Sequence, residues 1–258
     1  MLKELAREIA LALTALFKSS LSSGSVPADW RDAHITPIYK KGEQYNPANY
    51  RLVSLTSVVC KLLEHITVSA VMHHFEDNSI LTDNQHGFRR GRSSETQLLE
   101  LVEELTTNLE SSKQADVLIM DFSKAFNKVN HSLLLHKLQR YGVQGTTSTW
   151  IANFLNNGRQ AVVVSGASSH FMNVMSGVPQ GSVLGPCPFL AYINHNDMPE
   201  KLSALARLFA DDTAAYKTIS NGHDQAQLQE DLQRFADLEE SWDMEFHPAK
   251  CQTLLITI

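Results

Sequence analysis

Leu208-Phe209-Ala210-Asp211-Asp212-Thr213-Ala214-Ala215-Tyr216 is the stretch on which the fold turns. Two adjacent carboxylates stand between short apolar runs, the pattern of a tight hairpin whose bend carries the charge. Far upstream, Val117-Leu118-Ile119-Met120 is an all-apolar run, as expected of a strand buried on both faces, and it ends in Asp121. Both places set negative charge at the edge of a hydrophobic interior. Like charges gathered there are costly unless a cation joins them. Oxygen ligands without nitrogen or sulfur favour Mg²⁺ or Mn²⁺, and two such ions can clamp the attacking and leaving oxygens of an in-line phosphoryl transfer. Taken singly, an aspartate at a bend is as often a turn residue or a helix cap.

The flanking sequence predicts helices alternating with strands. Helices are expected over residues 57–75, 94–108 (capped by Ser93 or Ser94), 131–141 with Gly142 as the stop, 147–155, 181–192 and 223–242. A hairpin is expected from 160–165 and 170–175, short extended pieces lie between Trp30 and Tyr50, and a last strand covers 253–258. Leu2, Leu5, Ile9, Leu13 and Leu16 form one apolar stripe of an N-terminal helix, followed by a Ser/Gly/Pro loop from Ser19 to Pro27. This order predicts an α+β fold, a small antiparallel sheet backed by helices.

The 258 residues suffice for one large domain or two subdomains, and 43% hydrophobic content excludes disorder. No apolar run approaches the roughly 18 residues of a membrane span, and the N-terminus lacks the order of a signal peptide. Cys60, Cys187 and Cys251 are dispersed, which predicts reduced thiols and an intracellular protein. His65, His73 and His74 share no metal-type spacing with a cysteine or carboxylate and are expected to be satisfied or exposed. A net charge of −6 runs against a phosphate binder. Distribution matters more: Arg89, Arg90 and Arg92 form the clearest basic cluster, while acidic residues concentrate in the predicted helices 94–110 and 224–243.

Five stretches carry a family resemblance. Phe209-Ala210-Asp211-Asp212 resembles the F/Y-x-D-D box of reverse transcriptases. Asp121-Phe122-Ser123-Lys124-Ala125-Phe126 resembles their first palm motif, and Ser176-Gly177-Val178-Pro179-Gln180-Gly181-Ser182-Val183-Leu184-Gly185-Pro186 matches S-G-V-P-Q-G-S-x-L-G-P. Asn49-Tyr50-Arg51-Leu52-Val53-Ser54-Leu55 resembles the fingers motif, and Gln85-His86-Gly87-Phe88-Arg89-Arg90-Gly91-Arg92-Ser93 is similar to Q-x-G-F-R-x-G-R-S. One box is weak; five in order, across residues 26–258, are specific. The closest wording is that of jockey-like, LINE-type (non-LTR) retrotransposons.

The resemblance implies a polymerase right-hand fold and RNA-directed DNA synthesis from an RNA template, a DNA primer and deoxynucleoside triphosphates. It implies an N-terminal helix and linker at 1–25, fingers at 26–115 and palm at 116–258, with no thumb, endonuclease or zinc knuckle legible. Asp121, Asp211 and Asp212 would be catalytic and hold two Mg²⁺ (or Mn²⁺) ions. Phe126 would be the steric gate against a 2′-hydroxyl. Gln180 and Gly181 would line the incoming nucleotide, Arg51 would grip its triphosphate with help from Lys40 or Lys41, and Lys250 would protonate pyrophosphate. Arg89, Arg90 and Arg92 would track template phosphates. A nuclear ribonucleoprotein of the element would be the setting.

The sequence departs from the pattern at Asn127, where the family has aspartate, and at Leu52, where it has proline. Pro188 falls inside a predicted helix, and Tyr192-Ile193-Asn194-His195-Asn196-Asp197 carries two extra residues. These departures favour a decayed or truncated copy, with a nucleic-acid-binding remnant as the alternative. Another palm-fold transferase or cyclase that makes nucleotide signals is the third possibility, and the Ser176–Pro186 and Arg51 motifs oppose it.

Overall fold

The computed structural model describes residues 4–194 and 202–257. Along the chain the elements are α1 (Ala6–Ser23), α2 (Ala28–Arg31), β1 (Asp32–Tyr39), β2 (Tyr50–Leu55), α3 (Val58–Asp77), α4 (Ser94–Glu110), β3 (Gln114–Met120) and α5 (Ala125–Lys128). They continue as α6 (His131–Arg140), α7 (Gly145–Asn156), β4 (Arg159–Val164), β5 (Ala167–Ser168), β6 (Met172–Asn173), α8 (Pro186–Ile193), β7 (Leu205–Phe209), β8 (Asp212–Ile219), α9 (Gly222–Trp242) and β9 (Gln252–Ile256). Two compact units result, Met1–His73 with Asn130–Pro188, and His74–Val129 with Phe189–Ile258.

In the first unit, β2, β1, β4 and β5 follow one another across a sheet, with β6 also on β4. Strands β1 and β2 are antiparallel, whereas β1 and β4 are parallel, Asp32 opposite Arg159. The parallel pair was invisible in the sequence because its strands lie more than a hundred residues apart, and β2 was not foreseen as a strand. Arg159 clasps Asp32 with both arms, at 2.8 and 2.6 Å. Helix α1 runs on through the serines expected to form a loop, because Ser23 bonds back to the carbonyl of Ser19 at 2.8 Å. The left-handed Gly24, φ 65°, ends it. Its buried Phe17 meets Trp30 edge-on, and its Ser20 hydroxyl accepts the indole N–H of Trp150 on α7 at 2.9 Å. Ile35, Leu63, Leu134, Leu138, Ile151, Phe154 and Ala161 complete this core.

The second unit holds a four-stranded antiparallel sheet, β7-β8-β3-β9. Central strand β3 is buried at five of its seven positions, which is why its sequence does not alternate. Helix α9 packs on β8, and α4 on β3 and β7. Helix α4 begins with Ser93 in a capping box with Thr96. Its inward side is polar: Glu104 receives Arg207 and the Tyr216 hydroxyl, and Thr218 donates to Asn108 at 2.7 Å. Leu98, Leu99 and Val102 are left exposed.

Two expectations about α8 need correction or restriction. The helix starts at Pro186, not at residue 181, since 181–185 is a loop. Pro188 therefore falls in the first turn, where its missing N–H has no intrahelical partner to lose. Of the stretch with two extra residues, Tyr192, Ile193 and Asn194 are described, and His195, Asn196 and Asp197 lie outside the described residues. The buried Asn194 amide donates to the carbonyl of Ile80 at 2.6 Å and accepts the N–H of Thr82 at 3.1 Å.

Candidate active site

Asp121 follows β3 directly. Its carbonyl accepts the N–H of His247 at 2.7 Å, and Ser123 donates to Glu245 at the same distance, so residues 121–123 run beside 245–247. Phe122 stacks on Phe246 with centroids 4.2 Å apart and fixes that pairing. The next turn, from His247 to Lys250, brings the Lys250 ammonium onto the Asp121 carboxylate as an ion pair.

Strands β7 and β8 form the expected hairpin, Phe209 opposite Asp212, with Ala210 and Asp211 as its two-residue bend. Ala210 is left-handed, φ 53°, at a position glycine usually fills. Burial pushes the Asp211 carboxyl above the usual range, and the charges of Asp212 and Asp121 push it further. Burial and Asp121 do the same to Asp212, while Lys250 opposes the rise at both. All three carboxylates belong to one unit, and Met120 opposite Thr213 sets Asp121 at the sheet end that carries the bend. They are not drawn into a closed ligand set: among the described residues, no group of three or more His, Cys, Asp and Glu side chains is gathered closely enough to hold a metal ion.

Phe126, on α5, is half-buried. Its ring stacks on Phe189 at 4.1 Å and meets the edge of Phe88 at 6.2 Å. Phe88 is half exposed and left-handed, φ 57°, which is costly for a bulky side chain.

The arginine cluster divides. Arg89 is buried, forks onto Glu76 and donates to the carbonyl of Thr82 at 2.7 Å, so it staples its own loop together. Arg92 pairs with Asp83 at 2.7 Å, and Arg90 is exposed. Two neighbours that open the Q-x-G-F-R-x-G-R-S stretch were given no role from the sequence. Buried Gln85 accepts the N–H of Ala210 at 2.9 Å and donates to its carbonyl at 3.3 Å. Buried His86 bonds Thr96 at 3.0 Å, and burial holds its pKa below the usual value. The sequence signal for Gln85 was its place as the glutamine of that motif; His86 fills the motif's open position.

Arg51, Lys40, Gln180 and Gly181 belong to the first unit. Arg51 lies exposed on β2 opposite Ile38, and Lys40 is exposed where its N–H closes the β1–β2 connection onto Asn49 at 2.9 Å. The Gly177–Gly185 loop is held from several sides. Buried Glu64 accepts the N–H groups of Val183 and Leu184 at 2.7 and 2.8 Å, His131 donates to the carbonyl of Gly177 at 2.7 Å, and Ser54 donates to that of Gln180 at 2.7 Å. Gly181 has φ 108°, and a Cβ there would stand 2.9 Å from the Ser54 carbonyl, so only glycine fits.

The hairpin that carries the carboxylate pair and the central strand that ends in Asp121 share one antiparallel sheet, as in the palm of a right-hand polymerase fold. Residues 38–256 match the family described as reverse transcriptase (RNA-dependent DNA polymerase), and the chain belongs to it. It is 30% identical, over its whole length, to a probable RNA-directed DNA polymerase from transposon X-element of Drosophila melanogaster, covering 29% of that protein. It is 29% identical over 93% of its length to the RNA-directed DNA polymerase from mobile element jockey of the same fly, covering 27% of it. These are non-LTR, LINE-type relatives, and the chain spans less than a third of their length. Apo telomerase from Candida tropicalis truncated from its C-terminal domain shares the fold at a TM-score of 0.63 and 10% identity, over 96% of this chain and 55% of that one. Among the described residues, no helix is long and apolar enough to cross a membrane.

Proposed function

We propose that this chain carries out RNA-templated DNA synthesis for a non-LTR mobile element. A primer 3′-oxygen attacks the α-phosphate of a deoxynucleoside triphosphate, the bond to the leaving pyrophosphate breaks, and the chain grows by one nucleotide. The observation that carries this is the register of β3 on β8, Met120 opposite Thr213, which sets Asp121 at the end of the sheet where the β7–β8 bend carries Asp211 and Asp212.

These residues fit divalent ions by their chemistry: all donors are hard oxygens, and burial first, with the charge of Asp121 behind it, holds the Asp211 and Asp212 carboxyls above the usual range. Asp121, Asp211 and Asp212 would hold two Mg²⁺ or Mn²⁺ ions, which when bound supply charge neutralisation for the attacking and leaving oxygens. Lys250 provides the positive charge opposite Asp121 and is the proton donor we assign to pyrophosphate. Phe126, backed by Phe189, would exclude a 2′-hydroxyl. Arg51 and Lys40 would bind triphosphate, and Gln180 and Gly181 would line the nucleotide. Exposure supports the first pair, and the tightly held loop supports the second. Template phosphates fall chiefly to exposed Arg90, with Arg92 beside it, because Arg89 is spent on Glu76. The fingers and palm roles fall on 26–115 and 116–258, with 1–25 as an N-terminal addition. The compact units cut across that division because the chain enters each of them twice. A nuclear ribonucleoprotein is the setting that fits such an element.

A second reading, a nucleic-acid-binding remnant without turnover, is favoured by the open ligand set and by the Lys250–Asp121 pair. Primer extension on an RNA template with Mg²⁺ separates the two. The wild-type chain should extend and Asp211→Ala should not; equal signals would remove the catalytic reading. Phe126→Ala should then admit ribonucleotides, and unchanged sugar selectivity would refute the gate.

A further inference from the structure

The bend that carries Asp211 has an unfavourable backbone. Ala210 is left-handed, where a Cβ crowds the following carbonyl. The twist of the two-strand ladder favours such a bend but does not lift the penalty a non-glycine residue carries there. A second restraint comes from a different segment.

Residues 84–86 lie along the outer edge of β7. Leu208 donates to the carbonyl of Asn84 at 2.9 Å, His86 donates to that of Leu208 at 2.8 Å, and Gln85 bridges to Leu208 in parallel. This places the Gln85 side chain, 3% exposed, under the bend. Its Oε1 accepts two N–H groups, Ala210 at 2.9 Å and Gly87 at 2.8 Å, while its Nε2 donates to the Ala210 carbonyl at 3.3 Å. One amide therefore satisfies both backbone polar groups of the left-handed residue. Gly87 completes the seat: a Cβ there would stand 2.3 Å from the Ala210 nitrogen. Only glycine lets the two backbones close to this distance.

We infer that Gln85 is a positioning residue, which holds Ala210 in its left-handed conformation and thereby fixes the direction of the Asp211 carboxylate. It touches no reacting atom. The inference rests on the polymerase reading for its catalytic consequence, and not for the clamp itself. It also accounts for the amide. A hydrophobe of similar size would leave three backbone groups unpaired, and a carboxylate could accept both N–H groups but could not donate to the Ala210 carbonyl.

The test uses the full chain in four forms: wild type, Gln85→Met, Ala210→Gly and the double variant. Hydrogen exchange is read at residues 209–212 and 85–88, and kcat and KM for a deoxynucleotide are read by primer extension with Mg²⁺. Gln85→Met should speed exchange at Ala210 and Gly87 about tenfold or more, leaving β3 and β8 protected, and should lower kcat by about tenfold with KM within about twofold. Glycine adopts the left-handed form without penalty, so in the Ala210→Gly background the kcat loss should shrink to about twofold. Equal losses in both backgrounds, or unchanged exchange at Ala210, would overturn the proposal. If Gln85→Met fails to fold, Gln85→Glu keeps the size and both accepted bonds and should keep the two amides protected; loss of their protection in a folded Gln85→Glu chain overturns it equally. A wild-type chain that extends no primer defeats the polymerase reading alone, since exchange still decides the clamp.

Discussion

The Gly177–Gly185 loop of the first unit and the Ala210–Asp211 bend of the second each bond a buried side chain from a distant part of the chain through their backbone N–H groups, and the chemistry of those two side chains differs. Glu64 holds the loop and Gln85 holds the bend. Each matches what it holds. The loop presents bare N–H donors at Val183 and Leu184, for which a carboxylate is the stronger acceptor. The bend presents one donor and one acceptor and already carries two aspartates. An amide answers both groups without adding charge, whereas a carboxylate there would join the repulsion that raises Asp211 and Asp212.

Exchanging or removing these groups attacks the comparison directly. The largest effect is expected from Glu64→Leu, which strands two N–H groups and should cost about 3 kcal/mol in a urea titration. Glu64→Gln should recover most of that loss, because an amide oxygen can still accept. Next comes Arg89→Met, which unpins the loop carrying Gln85 and leaves Glu76 unpartnered by its fork; roughly 2 kcal/mol is expected by the same titration. Gln85→Glu should lower kcat about tenfold, one pKa unit of added repulsion being worth that factor, while changing the denaturation midpoint little. If Gln85→Glu is fully active, charge is not the reason for the amide.

Two smaller effects sharpen the picture. His86 is buried neutral, so its folded pKa is depressed below 6.5. The unfolded state therefore takes up the proton first. Stability from His86 is complete above pH 6.5 and is lost as pH falls through the folded value, with a slope of at most ~1.4 kcal/mol per pH unit. His86→Asn should flatten that limb of a Tm-against-pH curve. Arg90→Met should leave Tm unchanged and reduce the salt slope of RNA affinity by about 0.7, one contact on a single strand. An unchanged slope would take Arg90 out of the template interface.

Most of the second unit was legible because its signals are local. The apolar run ending in Asp121, the hairpin at Asp211-Asp212 and the cap at Ser93 each declare themselves within a few residues. The first unit hid more. The parallel β1–β4 pair depends on a partner far along the chain, and residues 181–185 read as helix because nothing nearby tells that Glu64 claims their N–H groups. The carboxylates were findable through their oddness in an apolar setting. Gln85 stood out only as a motif position, and its task was hidden because neither its burial nor its partner Ala210, more than a hundred residues away, is written nearby. Arg89 misled for the opposite reason: a basic run looks solvent-facing, yet one member is buried on Glu76.

The contact at Gly87 bears on how copies of such an element age. Every missense change of that codon adds at least a methyl, and the atom it meets most closely, the Ala210 nitrogen, is main chain, which cannot swing aside as a side chain can. A copy mutated there would be expected to lose the aim of its acidic hairpin while still folding around β3 and β8. Position 87 would then record the loss of copying competence sooner than the wearing away of the hydrophobic interior.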